Sequence, residues 1–249
     1  MSGVDLALLV LAGVATSTLT AVAGLGGGVI LLSLMVLCWD PLTAIPLHAA
    51  VQLVSNASRT LAQRRHVQWG LLGRYALPLV PAGALGLAVA QALPESALRV
   101  AIGVFCLIAV WAPRALRLGA RPGAGDPGRR FLWLGAVTGF LGTTIGASGP
   151  LVGPFFRDLG LSRHAVVGTF AAAQALGHAV KLGLFAAAGF SFAAHAGPLA
   201  LLSVGVFAGT ALGSLLLDRV DERTFQTLYK VALTAVALRL AVWDPFFAR

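Results

Sequence analysis

Charged residues and cysteine are scarce in this chain. Only 11% of its 249 residues are charged and nine are acidic, and these carboxylates stand mostly at the ends of apolar segments. No Ser-His or His-Glu spacing recurs on a helix, so the pattern argues against an enzyme. The two cysteines, Cys38 and Cys106, lack the spacing of a metal or redox motif. We therefore predict packing roles for both, and neither a metal nor another cofactor.

The N-terminus lacks the basic start of a cleavable signal peptide. No Lys or Arg precedes the first long apolar run, which begins beside Asp5. We expect this segment to remain on the mature protein.

Apolar sequence is what the chain has in excess. Its hydrophobic content is 58% and its mean hydropathy is +0.87, and its apolar runs reach membrane-spanning length. The composition predicts an all-α polytopic protein in the lipid bilayer. The net charge of +9 arises from arginines that flank apolar segments, where they orient a membrane protein rather than bind nucleic acid. These arginines include Arg64, Arg65, Arg114, Arg117, Arg121, Arg129 and Arg130.

Eight apolar segments divide into two groups of four. They are 4–38 (interrupted), 43–63, 70–92 and 96–113, then 131–156 (interrupted), 164–188, 196–217 and 224–243. Between the groups, the Gly-, Pro- and Arg-rich stretch 114–130 has no helical periodicity. We predict a first transmembrane repeat over 1–113, a cytoplasmic linker over 114–130 and a second repeat over 131–249.

The two groups share a sequence pattern at a constant offset of 122 residues. Matching pairs include Gly13 and Gly135, Thr16 and Thr138, Leu19 and Leu141, Gly24 and Gly146, and Gly27 and Gly149. The pattern predicts two homologous halves, each with one broken segment and three transmembrane helices.

Each half also carries polar residues inside an apolar helix. The two sets are Gln52, Asn56 and Arg59, and Gln174, His178 and Lys181. Their i, i+4, i+7 spacing places each set on one helix face. Ionisable groups at bilayer depth are costly, so they normally face a protein interior or an aqueous cavity. Two such faces predict one site built from both halves.

A second interpretation exists for three of these residues. Arg59 and Lys181 lie toward the ends of their segments, where a long cationic side chain can reach the membrane interface instead. Lys181 has the longer apolar stretch after it, which favours a role in the site. His178 could equally be a hydrogen-bonded packing residue.

Glycine and proline interrupt the first apolar segment of each half. The runs G-L-G-G-G at 24–28 and G-A-S-G-P at 146–150 are expected to break a helix. A single glycine run in a membrane helix more often permits close helix packing than forms a binding site. Two runs at matching positions of the two halves favour a binding site. Free N–H groups where the helix resumes favour an anion, which makes Gly27, Gly28, Ser148 and Gly149 candidate binding residues.

The distribution of basic residues bears on the path of the broken segments. Connections 39–43, 93–96 and 189–197 contain no Lys or Arg, whereas the other loops do. If each broken segment is a re-entrant hairpin, every basic loop is cytoplasmic and the halves are inverted repeats. The alternative, in which both segments cross fully, is supported by the length of residues 4–23.

The chain resembles the TauE/SafE family of sulfite and organosulfur-anion exporters over nearly its whole length. The resemblance is carried by G-L-G-G-G at 24–28, H-A-A-V-Q-L-V-S-N-A-S-R-T at 48–60, V-Q-W at 67–69, P-A-G-A-L-G at 81–86, T-G-F-L-G-T-T-I-G-A-S-G-P at 138–150 and G-T-F-A-A-A-Q-A-L-G-H-A-V-K at 168–181. One departure is that no proline follows the first glycine run until Pro41. The resemblance implies a multi-pass permease of the cytoplasmic (inner) membrane for sulfite, thiosulfate or an organosulfonate, coupled to a proton or sodium gradient.

Together these patterns predict an alternating-access transporter in which one half rocks against the other. The anion would lie between the two breaks, bound by backbone N–H groups and polar side chains and offset in charge by Arg59 and Lys181. His178 is the candidate for proton coupling, since the unperturbed pKa of histidine is about 6.5. A passive anion channel and a carrier of non-sulfur organic anions remain alternatives. The oligomeric state is not predicted.

Overall fold

A computed structural model shows an all-helical protein over the residues that it describes, which are 3–23, 27–113, 115, 127–157, 160–216 and 222–243. The helices are α1 (Gly3–Ala23), α2 (Gly27–Cys38), α3 (Pro41–Ala62), α4 (Trp69–Ala76), α5 (Leu79–Ala92), α6 (Glu95–Trp111), α7 (Pro127–Thr144), α8 (Gly149–Arg157), α9 (Arg163–Ala187), α10 (Ala196–Leu216) and α11 (Glu222–Leu238). A 3₁₀ turn, Ala193–His195, precedes α10, and a π-helical turn, Arg239–Trp243, extends α11. The predicted all-α fold class is confirmed.

Several of these helices have the length and apolar composition of membrane spans. Three qualify singly, over Gly3–Ala21, His164–Ala187 and Ala193–Gly213, and the bent pair α4 and α5 qualifies as a fourth. The chain is therefore a multi-pass membrane protein. The bend was not predicted: the apolar segment 70–92 turns by 43° between α4 and α5. Pro78 explains this break because it lacks an N–H group and clashes with the preceding turn.

The helices that carry the two polar faces begin at equivalent positions. The Asp40 carboxylate accepts a hydrogen bond from the Thr43 N–H at 3.0 Å, and the Ser162 hydroxyl accepts one from the Ala165 N–H at 3.3 Å. Asp40 and Ser162 differ by 122 positions, so an N-cap residue fixes the start of α3 and of α9 in the same register.

Both interrupted segments are divided between two helices. In the first, α1 ends at Ala23 and α2 begins at Gly27, and the intervening residues 24–26 lie outside the described part. In the second, the chain turns at Gly146, where φ is +86°. A Cβ atom at Gly146 would lie 2.8 Å from side-chain atoms of both Leu32 and Ile45. Only glycine can adopt this positive φ without placing a β-carbon against those two side chains.

Close helix pairs join the two halves of the chain. The largest contacts are between α1 and α10, between α5 and α7, and between α3 and α9. When each half is exchanged for the other, the α1–α10 pair becomes the α7–α5 pair, and the α3–α9 pair maps onto itself. Helices at corresponding positions of the two predicted repeats therefore have corresponding contact partners in these three pairs.

Glycines bring the helices of the first two pairs close together. Gly209 of α10 packs against the backbone of Val14 on α1, and Gly86 of α5 packs against the Phe140 carbonyl on α7. A threonine hydroxyl crosses each interface to a glycine carbonyl: Thr18 to Gly209 at 3.0 Å and Thr144 to Gly86 at 3.0 Å. Such small residues permit tight packing of helices in membranes.

The end of α3 meets the beginning of α9. The imidazole rings of His66 and His164 have centroids 5.4 Å apart, and the Gln68 N–H donates to the Thr169 hydroxyl at 3.0 Å. These two helices therefore run in opposite directions past each other, and their polar faces meet between them.

The predicted linker 114–130 lies largely outside the described residues. Helix α7 begins at Pro127, so it includes the last four residues of that predicted stretch. The boundaries of the two repeats stay predictions.

Candidate functional site

The polar faces of α3 and α9 line a shared cavity of about 50 Å³. Eight of the ten predicted site residues line it: Gly28, Gln52, Asn56, Arg59, Ser148, Gly149, Gln174 and His178. The structure therefore brings both halves of the predicted site together. Gly27 and Lys181 do not line this cavity. Gly27 lies at the start of α2 against the Thr16 backbone and the Thr20 hydroxyl of α1.

Two helices begin at this cavity. Gly28 and Val29 belong to the first turn of α2, and Gly149 is the first residue of α8. The Ser148 carbonyl accepts the first α8 hydrogen bonds, from the N–H groups of Leu151 and Val152. The earliest N–H groups of a helix have no carbonyl partner within it and carry partial positive charge. The cavity therefore receives the positive ends of two helix dipoles.

Lys181 lines a smaller cavity of about 10 Å³ that adjoins the shared one. Ser148, Gln174 and His178 line both cavities. The Lys181 ammonium donates a hydrogen bond to the Gly146 carbonyl at 2.8 Å, and the side chain is only 3% exposed. Lys181 thus connects α9 directly to the second helix break rather than snorkelling to the membrane surface.

The first-half face is ordered by its own hydrogen bonds. The Asn56 amide donates to the Gln52 carbonyl at 2.8 Å, which leaves its side-chain oxygen to accept from the Arg59 guanidinium at 2.8 Å. Arg59 is partly buried in the last turn of α3. Its side chain lines the cavity, so the structure places it in the site and not solely at the interface.

Positive charge at the site is not balanced by acidic side chains in the described part of the protein. Arg59 and Lys181 form no ion pair there with Asp or Glu, and no carboxylate lines either cavity. Buried charges are normally paired or fully hydrogen-bonded. The described site therefore has an excess of positive charge that a bound anion would offset.

Two hydrogen-bond donors at the site lack a partner among the described residues. These are the Gln174 Nε2 amide and the Arg59 Nε group. The Ser148 hydroxyl donates to the Gln174 side-chain oxygen at 3.4 Å. This bond leaves the Gln174 amide hydrogens directed away from Ser148. Buried donors usually find an acceptor, and an oxyanion supplies several.

The sequence interpretation did not name as site residues six that line the cavity: Thr20, Val29, His48, Gly146, Ala147 and Phe170. His48 was detectable, because it precedes Gln52 by four residues and extends the same helix face by one turn. Its Nε2 donates a hydrogen bond to the Gly28 carbonyl at 2.8 Å. Phe170 occupies the position equivalent to His48 in the second half, so the two halves differ in polarity here.

The size and chemistry of the cavity suit a small anion. A volume of about 10–15 Å³ is enough for one water molecule, so about 50 Å³ admits only a few non-hydrogen atoms. Uncompensated cations, amide donors and helix N-termini all favour negative charge. Among the described residues, no group of three or more His, Cys, Asp or Glu side chains could hold a metal ion.

The sequence of the chain also matches a known protein family. The family model described as sulfite exporter TauE/SafE matches residues 9–240. The matched region contains both polar helix faces, both helix breaks and every residue that lines the two cavities. No curated protein and no solved structure matched the chain.

Proposed function

Because this chain belongs to the sulfite exporter TauE/SafE family, we propose that it is a secondary transporter of a small sulfur-containing anion. Sulfite, thiosulfate and small organosulfonates are the proposed substrates, and the inner (cytoplasmic) membrane is the proposed location. The observation that carries this proposal is the shared cavity, where the positive charges of Arg59 and nearby Lys181 have no acidic partner among the described residues.

The anion binds in the cavity between α3 and α9. Its oxygens accept hydrogen bonds from the side-chain amides of Gln52 and Gln174 and from backbone N–H groups near Gly28 and Gly149, while the Ser148 hydroxyl holds the Gln174 side-chain oxygen. Support comes from the lining of the cavity and from the unpartnered Gln174 amide. Arg59 offsets the charge of the anion from the end of α3, since guanidinium groups match the geometry of oxyanions.

Lys181 holds the second helix break by a hydrogen bond and also attracts the anion. In the structure its ammonium donates a hydrogen bond to the carbonyl of Gly146, a residue that lines the shared cavity. Its positive charge attracts the anion across the Ser148 and Gln174 side chains, which line both cavities. Gly27, in contrast, shapes the start of α2 by its close contact with α1 and contributes to binding only through the backbone.

The two halves are inverted repeats, and each broken segment is a re-entrant hairpin. The opposite directions of α3 and α9, which occupy equivalent positions in the repeat, support the inversion. Helix α7 runs parallel to α4 and α5, since Gly135 packs against the Tyr75 carbonyl and, further along both segments, Gly86 packs against the Phe140 carbonyl. It therefore starts on the side where α4 begins. Helix α9 also begins there, as Thr169 contacts Gln68. A segment α7–α8 that starts and ends on one side is a hairpin, not a span.

Labelling of single cysteines tests this topology. In a chain with Cys38 and Cys106 replaced by alanine, H66C and H164C should react only with reagent that reaches the cytoplasm. S191C, in a loop without basic residues, should react from outside. If H164C reacts from outside while H66C does not, the broken segments cross fully and the hairpin proposal is wrong.

In the proposed alternating-access cycle, the moving parts are helix pairs, each made of one helix from each half. Helix α1 is packed closely against α10, and α7 against α5, so neither sequence half can move as an independent body. The proposed movement therefore displaces the α1–α10 pair relative to the α5–α7 pair, with the crossing of α3 and α9 between them.

Flux measurements on purified protein in liposomes test the function. Labelled sulfite, thiosulfate, methanesulfonate and acetate are compared with and without a proton or sodium gradient, and protein-free liposomes are the control. Accumulation of a sulfur anion against its gradient supports the proposal. Flux that only reaches equilibrium indicates a channel, and transport of acetate alone indicates a carrier of non-sulfur anions.

A further inference from the structure

Two buried histidines, one from each half, lie side by side at the shared cavity. His48 of α3 and His178 of α9 have ring centroids 5.9 Å apart in an edge-to-face arrangement. Their side chains are only 3% and 7% exposed, and both line the cavity. They do not occupy equivalent positions in the repeat: the counterpart of His48 is Phe170, and the counterpart of His178 is Asn56.

The hydrogen bond of His48 determines where its ring can take up a proton. A carbonyl oxygen only accepts, so Nε2 carries the hydrogen in the bond to Gly28. The neutral ring therefore has its lone pair on Nδ1, an atom without a partner among the described residues. The Nδ1 atom of His178 is also buried and unpartnered there. Each ring therefore has one nitrogen that forms no hydrogen bond with any described residue.

Among the described residues, the charged groups around this pair are all basic. Lys181 and Arg59 are the charged neighbours, while α2 contributes the Gly28 carbonyl and the α7–α8 break contributes Ser148. Positive charges so close together repel each other in a site of low dielectric constant. An anion in the cavity removes part of this repulsion, so it makes a further positive charge on a histidine less costly.

We propose that His48 and His178 form a proton-binding site that fills when the anion binds, so that the protein carries one proton together with each anion. The proposal rests on the proposed function and identifies the coupling ion. Binding linkage is reciprocal, so the proton strengthens anion binding as much as the anion strengthens proton binding. Hard cations prefer oxygen ligands that include carboxylates, and none lines the cavity in the described residues.

Counting protons during anion binding tests the proposal. Purified full-length protein in weakly buffered detergent solution is mixed with thiosulfate, methanesulfonate or sulfite at matched pH, and a pH indicator reports proton uptake. Binding of the same anion is measured by calorimetry, and exchange in protein-free solution is subtracted. We expect about one proton per bound anion, and an anion affinity that rises up to about tenfold for each unit of lower pH within the titration range.

Two variants distinguish proton binding from positioning. H48Q keeps an amide donor for the Gly28 carbonyl, and H178N gives the second half the residue of the first. The double variant should bind the anion without taking up a proton and without the pH dependence. Anion binding by the unaltered protein with no proton uptake, or binding that requires sodium, overturns the proposal while the proposed function stands. No binding of any of the three anions would instead count against the proposed function itself.

Discussion

The Lys181 ammonium and the Gly146 carbonyl are joined by a hydrogen bond of 2.8 Å. This bond links the polar face of α9 to the turn at which the second apolar segment breaks. Because the Lys181 side chain is only 3% exposed, this bond is shielded from bulk solvent. Any change in the position of Lys181 is therefore transmitted to the wall of the cavity that Gly146 forms.

Replacement of this lysine should impair transport strongly. Lys181→Met retains an unbranched side chain but leaves the Gly146 carbonyl without its donor. Hydrogen bonds to charged groups contribute about 1.5–3 kcal/mol, so we expect sulfite flux to fall roughly 10- to 100-fold. Lys230→Met, at an exposed position of α11, is the matched control. Equal flux in both variants would show that Lys181 has no part in transport.

The turn at Gly146 should tolerate no side chain. In Gly146→Ala, a β-carbon is forced into a left-handed backbone conformation beside Leu32 and Ile45. Such strain costs about 1–3 kcal/mol, so thermal unfolding in detergent should occur at a lower temperature. Gly183→Ala is the control, since its β-carbon on α9 meets no atom within 4 Å. A Gly146 variant as stable as this control would contradict the assigned geometry.

A negative charge in the cavity should exclude the anion. Gln52→Glu and Gln174→Glu preserve side-chain size and change mainly the charge. Like charges brought together cost several kcal/mol, so anion affinity near neutral pH should fall at least about a hundredfold in each. Gln91→Glu, at the exposed end of α5, should leave affinity unchanged. Titration calorimetry with sulfite gives the comparison, and undiminished binding in both cavity variants would place the anion elsewhere.

Equivalent glycines should be equally important in the two close helix pairs. Gly213→Ala introduces a β-carbon against the Thr18 carbonyl, and Gly86→Ala introduces one against the carbonyl of Phe140, which lies 122 positions after Thr18. Overpacking of this kind costs about 1–3 kcal/mol, so both variants should unfold at lower temperature. Gly73→Ala, with open space around it on α4, should not. If only one of the two interface variants is destabilised, the pairs are not structurally equivalent.

Local spacing made much of the site predictable from the sequence. The i, i+4, i+7 pattern placed Gln52, Asn56 and Arg59 on one face of α3, and the 122-residue offset identified the matching face of α9. Both depend only on helix geometry. The breaks at glycine were predictable for the same reason, since backbone freedom is a property of the residue itself.

Contacts between distant segments were not predictable in the same way. The close pairing of α1 with α10 and of α5 with α7 joins residues nearly 200 and about 60 positions apart, and no local pattern specifies such partners. Lys181 could be assigned to the site by its spacing, but its bond to Gly146 depends on how α9 crosses the second break. His48 was overlooked because Phe170, its counterpart, is apolar and hides the repeat at that position.

The most direct test of the central claim is to locate the anion itself. Selenite is a close chemical analogue of sulfite, and its selenium atom can be identified by anomalous X-ray scattering from crystals of the complex. We predict a single strong peak in the cavity between α3 and α9, within hydrogen-bonding reach of Gln52, Gln174 and Ser148. A peak outside that cavity, or an empty cavity at a selenite concentration that saturates transport, would contradict the account.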